Sequence, residues 1–276
     1  MAPADPNDVI VGAQIVDAPP ADVALFGLPF DGAVIGRKGA RLGPDSIRGQ
    51  LRKLKPPFPL RWLDLGNAAM PDDVVAAGDA ASGAMRAALD TGALPIALGG
   101  DHSLTFGLAR AVREALGPIA MLNLDAHLDV READPPNSGT SFRRLVEGKV
   151  VPGEWIAEVG VRPFANSTRY REWARRAGIH VHEHLTLPEV PPGARGLYVS
   201  LDVDVLDETA APGVSAPTPG GPTTRELLAF LDEVSRRLPV VAMDVVETCP
   251  PLDVDGRTAR AAAWAILTVA GARRPA

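Results

Sequence analysis

The sequence contains a single cysteine, Cys249. One thiol excludes an intramolecular disulfide and suits a reducing compartment. Long apolar runs are also missing. The longest, residues 261–272, falls short of the roughly 20 residues that a membrane-spanning helix needs. Near the N-terminus stand Pro, Asp and Asn in place of a basic start followed by an apolar stretch, so no secretory signal is expected. Basic excess is absent: 28 Lys and Arg face 34 Asp and Glu, a formal net charge of −6. That balance argues against a dedicated nucleic-acid binder. Lysine is scarce, with 4 residues against 24 arginines, a bias with no evident chemical use. Together these absences predict a soluble, cytoplasmic protein that binds neither nucleic acid nor membrane.

What is present is apolar mass: 46% of 276 residues are hydrophobic, enough for a sizeable core in one α/β domain. Residues 1–20 hold three Asp and four Pro without periodicity and are expected to form a loosely ordered arm. No repeat or linker divides the remainder, so 21–276 reads as a single domain. Short apolar runs predict strands at 23–27, 61–65, 94–98, 118–124, 155–159, 178–181, 196–201 and 240–246. Amphipathic stretches near 44–54, 74–90, 103–116, 167–177, 223–237 and 257–270 predict helices, with Thr223 and Glu226 as a capping box. Strands apolar on both faces and alternating with helices imply a three-layer α/β/α fold around a mainly parallel sheet.

In such sheets ligands bind beyond the carboxyl ends of the strands, and the reactive residues of this sequence follow predicted strands. Gly99-Gly100-Asp101-His102-Ser103 lets the chain turn sharply and brings a histidine to the mouth of a helix. Asp125-Ala126-His127-Leu128-Asp129 has the spacing that, in extended chain, projects two carboxylates and an imidazole to one side. Asp202-Val203-Asp204 adds two more carboxylates, and Glu247 ends the last strand. Four carboxylates in one partly desolvated cleft repel one another strongly. Two divalent cations neutralise them, and this donor set accepts Mn²⁺, Fe²⁺ or Zn²⁺.

The motifs GGDHS at 99–103, DAHLD at 125–129, SLDVDVLD at 200–207 and APGVSAPTPGG at 211–221 resemble the ureohydrolases: arginases, agmatinases and formimidoylglutamases. The resemblance extends from about residue 25 to 270. It implies an α/β/α fold, hydrolysis of a C–N bond in an amidine or guanidine, a pair of Mn²⁺ ions and a trimeric or hexameric assembly. Carried over by motif, it implies that His102, Asp125, Asp129 and Asp202 hold one ion, while Asp125, His127, Asp202 and Asp204 hold the other. Glu247 would bind the cationic nitrogens of the substrate, and Asp129 would shuttle a proton to the leaving nitrogen.

Arg131, followed by Asn137-Ser138-Gly139-Thr140-Ser141-Phe142, is most similar to the formimidoylglutamase branch. So is the segment 252–260. There Arg131 would offer a planar fork to a substrate carboxylate, with Ser138 and Thr140 as hydroxyl donors. The expected reaction is N-formimidoyl-L-glutamate plus water to L-glutamate and formamide, in histidine degradation. A guanidino hydrolase releasing urea, agmatinase- or guanidinobutyrase-like, is the alternative within the family. A non-catalytic metal-binding protein on the same scaffold is the alternative outside it. The histidines His180, His182 and His184 read as a polar strand edge, and Cys249 as a packed thiol.

Overall fold

The protein is described by a computed structural model over residues 9–271. Residues 1–8 of the expected arm lie outside the described residues. Within the rest of it, Val11 is 1% exposed and its N–H donates to Leu54 O at 2.9 Å, while residues 17–20 are exposed.

Nine strands form one sheet: β1 (Ile15–Val16), β2 (Val23–Gly27), β3 (Trp62–Asn67), β4 (Leu94–Leu98), β5 (Ala120–Leu124), β6 (Ile156–Val159), β7 (His180–His182), β8 (Leu197–Asp202) and β9 (Val240–Val246). Their order is β1-β3-β2-β4-β9-β8-β5-β6-β7, and every pairing between them is parallel. Parallel neighbours require crossovers, supplied by α1 (Gly43–Leu51), α2 (Val74–Leu89), α3 (Thr105–Leu116), α4 (Ser141–Glu147), α5 (Thr168–Arg176) and α6 (Thr224–Arg237), with α7 (Arg257–Gly271) closing the chain.

The two faces of the sheet build two cores. Alternate residues of one strand divide between them, as in β2, where Val23 and Leu25 enter one core and Ala24 and Phe26 the other. Ile47 and Leu51 of α1, Leu227 and Leu231 of α6 and Ile266 of α7 cover the first face. Met85 of α2, Leu108 of α3, Phe142 of α4 and Ala174 of α5 cover the second. Each fully buried large aliphatic or aromatic side chain contributes about 1.5–3 kcal/mol, so the layers are held by burial on both sides of the strands. The capping box at Thr223 and Glu226 forms as expected. Among the described residues no helix is long and apolar enough to cross a membrane.

This strand order positions the site. The four neighbours β4, β9, β8 and β5 lie at the centre of the sheet and point the same way. Their carboxyl ends are the residues just before His102, Glu247, Asp204 and Asp125. Four segments far apart in sequence therefore deliver their polar residues to one rim.

Candidate active site

Local packing aims each of these residues. Beyond β4 the chain runs against residue 30, and a Cβ on Gly100 would sit 1.8 Å from Phe30 O. Only glycine permits that approach, which carries the chain into a 3-10 turn at His102–Leu104 capped by Asp101. The His102 ring meets Phe142 edge to face at 5.6 Å. Its Nε2 lies 3.1 Å from Ser200 Oγ. Ser200 donates its own proton to Asp244 Oδ1 at 2.7 Å, and Asp244 Oδ2 accepts from Tyr198 and Thr105. With its proton committed, Ser200 accepts from Nε2–H, which leaves the Nδ1 lone pair of the neutral ring free for a cation.

Asp125, His127 and Asp129 converge, though not as strand residues. β5 ends at Leu124, and 125–129 is a loop in which Asp129 has φ +47°. Glu247 has φ +65°. A non-glycine residue in the left-handed region costs about 1–3 kcal/mol and persists only where its surroundings impose it. The Asp129 carbonyl accepts from Phe142 N at 3.1 Å, at the start of α4, which holds it there. Asp202 ends β8, and Asp204 follows in a 3-10 turn whose N–H donates to Asp202 Oδ1 at 2.9 Å.

His102 Nδ1 stands 2.9 Å from Asp129 Oδ2 and 3.3 Å from both Asp125 Oδ2 and Asp202 Oδ2. His127 Nδ1 stands 3.0 Å from Asp204 Oδ2 and 3.4 Å from Asp125 Oδ1. The two oxygens of Asp125 thus face different histidines, and two metal-competent groups share this residue: His102–Asp125–Asp129 and Asp125–His127–Asp204. All six residues expected as ligands meet here.

The electrostatics describe a cation site. Burial raises the pKa of Asp202, Asp204 and Asp129, with neighbouring carboxylates adding to the effect. Burial acts the same way on Asp125, but hydrogen bonds from His102 and His127 outweigh it and hold that group below the usual carboxylate range. Burial disfavours imidazolium, yet the carboxylates overcome it: His102 rises well above its ordinary value, and His127, facing Asp204 and Asp125, is pushed up to about 12. Yet buried Nδ1 of His102 makes no directed hydrogen bond to any of three carboxylate oxygens within 3.3 Å. Donors that converge on a common point without bonding one another fit a metal ion. Replacing Ser200 by Ala removes the group that orients His102 and is expected to weaken metal affinity about 10- to 100-fold, measured by competition with a chromogenic chelator.

A cavity of about 130 Å³ opens beside the cluster, lined by His127, Asp129, Asp202, Asp204, Glu247 and Ser138 and by the exposed Arg131. Glu247 is 2% exposed. Its Oε1 accepts from His102 N at 2.8 Å, while the buried Oε2 has no partner. Burial, reinforced by the charge of Asp101, pushes its pKa up to about 8. Such a carboxyl needs a cationic partner to ionise fully. The Arg131 guanidinium packs 5.4 Å from the Tyr170 ring, and among the described residues no carboxylate pairs with it.

Other expectations are modified. Thr140 does not line the cavity: its hydroxyl donates to Asn137 O at 2.7 Å and receives Asn137 N–H at 3.2 Å, a capping box. Ser138 does line it; its oxygen accepts from Ile35 N at 3.2 Å, which leaves its O–H to donate. Cys249 is buried with its thiol 3.5 Å from Glu247 O, and burial raises its pKa. His180 and His182 lie on the edge strand β7 and His184 beyond it. None belongs to a metal-competent group among the described residues. Sequence reading missed Asp244, Ser200, Asn166 and Tyr170. Asp244 had a signal, a charged residue within the apolar run 240–246. Asn166 fastens the rim, accepting from Leu128 N and donating to Ala126 O.

A metal-competent cluster beside a cavity, at the carboxyl ends of a parallel sheet, is a site suited to metal-assisted chemistry. Residues 21–271 match the arginase family, and the chain belongs to that family. It is 37% identical to formimidoylglutamase of Halobacterium salinarum, over 95% of this chain and 93% of that one. It is 35% identical to guanidinopropionase of Pseudomonas aeruginosa, over 86% of this chain and 82% of that one. The crystal structure of formimidoylglutamase from Bacillus subtilis superposes with a TM-score of 0.89 at 28% identity, covering 98% and 93% of the two chains. The protein is therefore a hydrolase of non-peptide C–N bonds in amidine-type compounds, most similar to formimidoylglutamases.

Proposed function

We propose that the protein hydrolyses N-formimidoyl-L-glutamate to L-glutamate and formamide, a cytoplasmic step of histidine degradation, using two Mn²⁺ ions. The observation that supports this reading is one cavity lined both by a buried carboxyl, Glu247, and by an exposed guanidinium, Arg131, with which no carboxylate pairs among the described residues. A molecule with a cationic amidine at one end and carboxylates at the other satisfies both.

His102, Asp125, Asp129 and Asp202 would hold one ion, and Asp125, His127, Asp202 and Asp204 the other. When bound, the two cations neutralise the crowded carboxylates and acidify a water for nucleophilic attack near neutral pH. Glu247 accepts the N–H groups of the amidine through charge-assisted hydrogen bonds and holds its carbon beside the cluster. Asp129 takes the proton released as water adds to that carbon and gives it to the glutamate nitrogen. The C–N bond then breaks, the carbon leaving as formamide and the amine as glutamate. Arg131 holds a substrate carboxylate through a paired fork.

The test is a product screen of Mn²⁺-reconstituted protein against formimidoylglutamate, arginine, agmatine and 4-guanidinobutyrate. Formamide and glutamate from the first substrate are expected to dominate. Arg131→Ala should weaken the apparent affinity for it by about 1.5–3 kcal/mol, the value of a charged hydrogen bond, and an unchanged KM would refute the carboxylate contact. A second reading, hydrolysis of a guanidino acid to urea, is favoured by the similarity to guanidinopropionase and by the same Arg131, which suits any carboxylate tail. Urea from guanidinobutyrate in excess of formamide from formimidoylglutamate would establish it.

A further inference from the structure

We infer that Gly139 and Tyr170 determine specificity by seating the Arg131 side chain in the cavity lining, where it receives a substrate carboxylate. The inference rests on the carboxylate-bearing substrate proposed above and adds the two residues that build its subsite.

Arg131, in the loop after Asp129, and Gly139, in the 3-10 turn Ser138–Thr140, are joined where Arg131 N donates to Gly139 O at 2.7 Å. The Arg131 side chain lies over Gly139. A Cβ at 139 would fall 2.6 Å from Arg131 Cδ and 2.9 Å from its Nε. Gly139 is not in the left-handed region, so its backbone accepts alanine. What a methyl group evicts is the arginine. Ile35 Cδ1, 2.9 Å from the same point, narrows the space left for both.

Tyr170 comes from a separate element, the first turn of α5, fixed by the Ser167 cap. Its ring centroid is 5.4 Å from Arg131 Cζ, within the range of a cation–π contact. Gly139, Tyr170 and Arg131 all line the cavity that holds Glu247. The acidic neighbour that could neutralise Arg131 is already engaged: Glu132 pairs with Arg143 at 3.4 Å and with Arg169 at 3.2 Å. The guanidinium is thus held in place by groups that leave its hydrogen-bond donors unspent. A long side chain held this way loses less freedom when it binds its ligand.

The experiment compares the wild type, Gly139→Ala, Tyr170→Leu and Tyr170→Phe in two assays. The first is calorimetric affinity for L-glutamate, a dicarboxylate. The second is the ratio of kcat/KM on formimidoylglutamate to that on N-propylformamidine, which has no carboxylate. Gly139→Ala is expected to lose about tenfold or more in glutamate affinity and in the specificity ratio, as for a lost charged hydrogen bond. Tyr170→Leu should lose about two- to fivefold, through KM and not kcat, and Tyr170→Phe should restore most of it. Equal losses on both substrates, or wild-type glutamate affinity in Gly139→Ala, would overturn the inference, as would absence of glutamate binding by the wild type. Failure of the wild type to hydrolyse formimidoylglutamate would instead refute the proposed function, and the glutamate affinities would still decide the seat.

Discussion

Asp125→Asn is expected to lower kcat/KM by more than about a thousandfold and to leave the protein with fewer than two bound ions. Asp125 is fully buried and presents one oxygen to each histidine, at 3.3 and 3.4 Å. The carboxylate is aimed by neighbours that the substitution leaves intact: His127 N donates to Oδ1 at 2.6 Å, and Asn123 Nδ2 approaches Oδ2 at 3.3 Å. The amide has nearly the same shape. It removes one negative charge, however, and turns an N–H₂ donor toward a point where a cation must sit. A thousandfold corresponds to about 4 kcal/mol of transition-state stabilisation, within the several kcal/mol that a metal ion supplies to developing charge. Steady-state kinetics and metal analysis of the purified variant check this together. Two ions per chain with wild-type turnover would remove Asp125 from the centre of the site.

Asp129→Asn is expected to lower kcat about 10²- to 10⁴-fold at saturating Mn²⁺, the usual contribution of a positioned acid–base group, in excess of its loss of metal affinity as a ligand. Among the clustered carboxylates Asp129 is the most open: its side chain is 12% exposed, against 0% for Asp125, 4% for Asp202 and 2% for Asp204. It lines the cavity, so a substrate nitrogen can reach it. Its left-handed backbone is imposed by α4, whose first amides bond its carbonyl. The distinguishing measurement is metal stoichiometry beside single-turnover rates. Full activity with both ions retained would assign the proton to another group.

Much of this architecture was legible because burial on both faces leaves a plain record. Val23–Gly27 and Leu94–Leu98 contain no charged residue, and both are buried throughout. The meeting of His102, Asp125, Asp129, Asp202 and Asp204 was legible from their places after predicted parallel strands and from the motif resemblance, and the repulsion of the carboxylates then called for two cations. The means of their meeting was not, since the strand spacing invoked for Asp125 to Asp129 belongs in fact to a loop. α4 escaped notice because seven residues are too few to show a helical period, and β1 because two residues show none. That the Thr140 hydroxyl sits in a capping box outside the cavity lining left no mark in the sequence, since a hydroxyl in a motif looks the same whether it faces substrate or closes a turn. Tyr170 left no trace: its partner Arg131 is 39 residues away, and only the return of α5 to the rim brings them together.

The place of β9 has a consequence for how the molecule is made. This strand, Val240–Val246, is the last of the described strands to be synthesised, yet it separates β4 from β8 at the middle of the sheet. Without it β4 and β8 each lack a neighbour, and unpaired apolar strand edges are open to aggregation. The His102 arm lies on the β4 side, and the arms carrying Asp125 and Asp204 on the β8 side. Assembly of the site therefore waits on residues 240–246, and a nascent polypeptide stopped short of residue 240 holds the metal donors without the strand that joins its two halves.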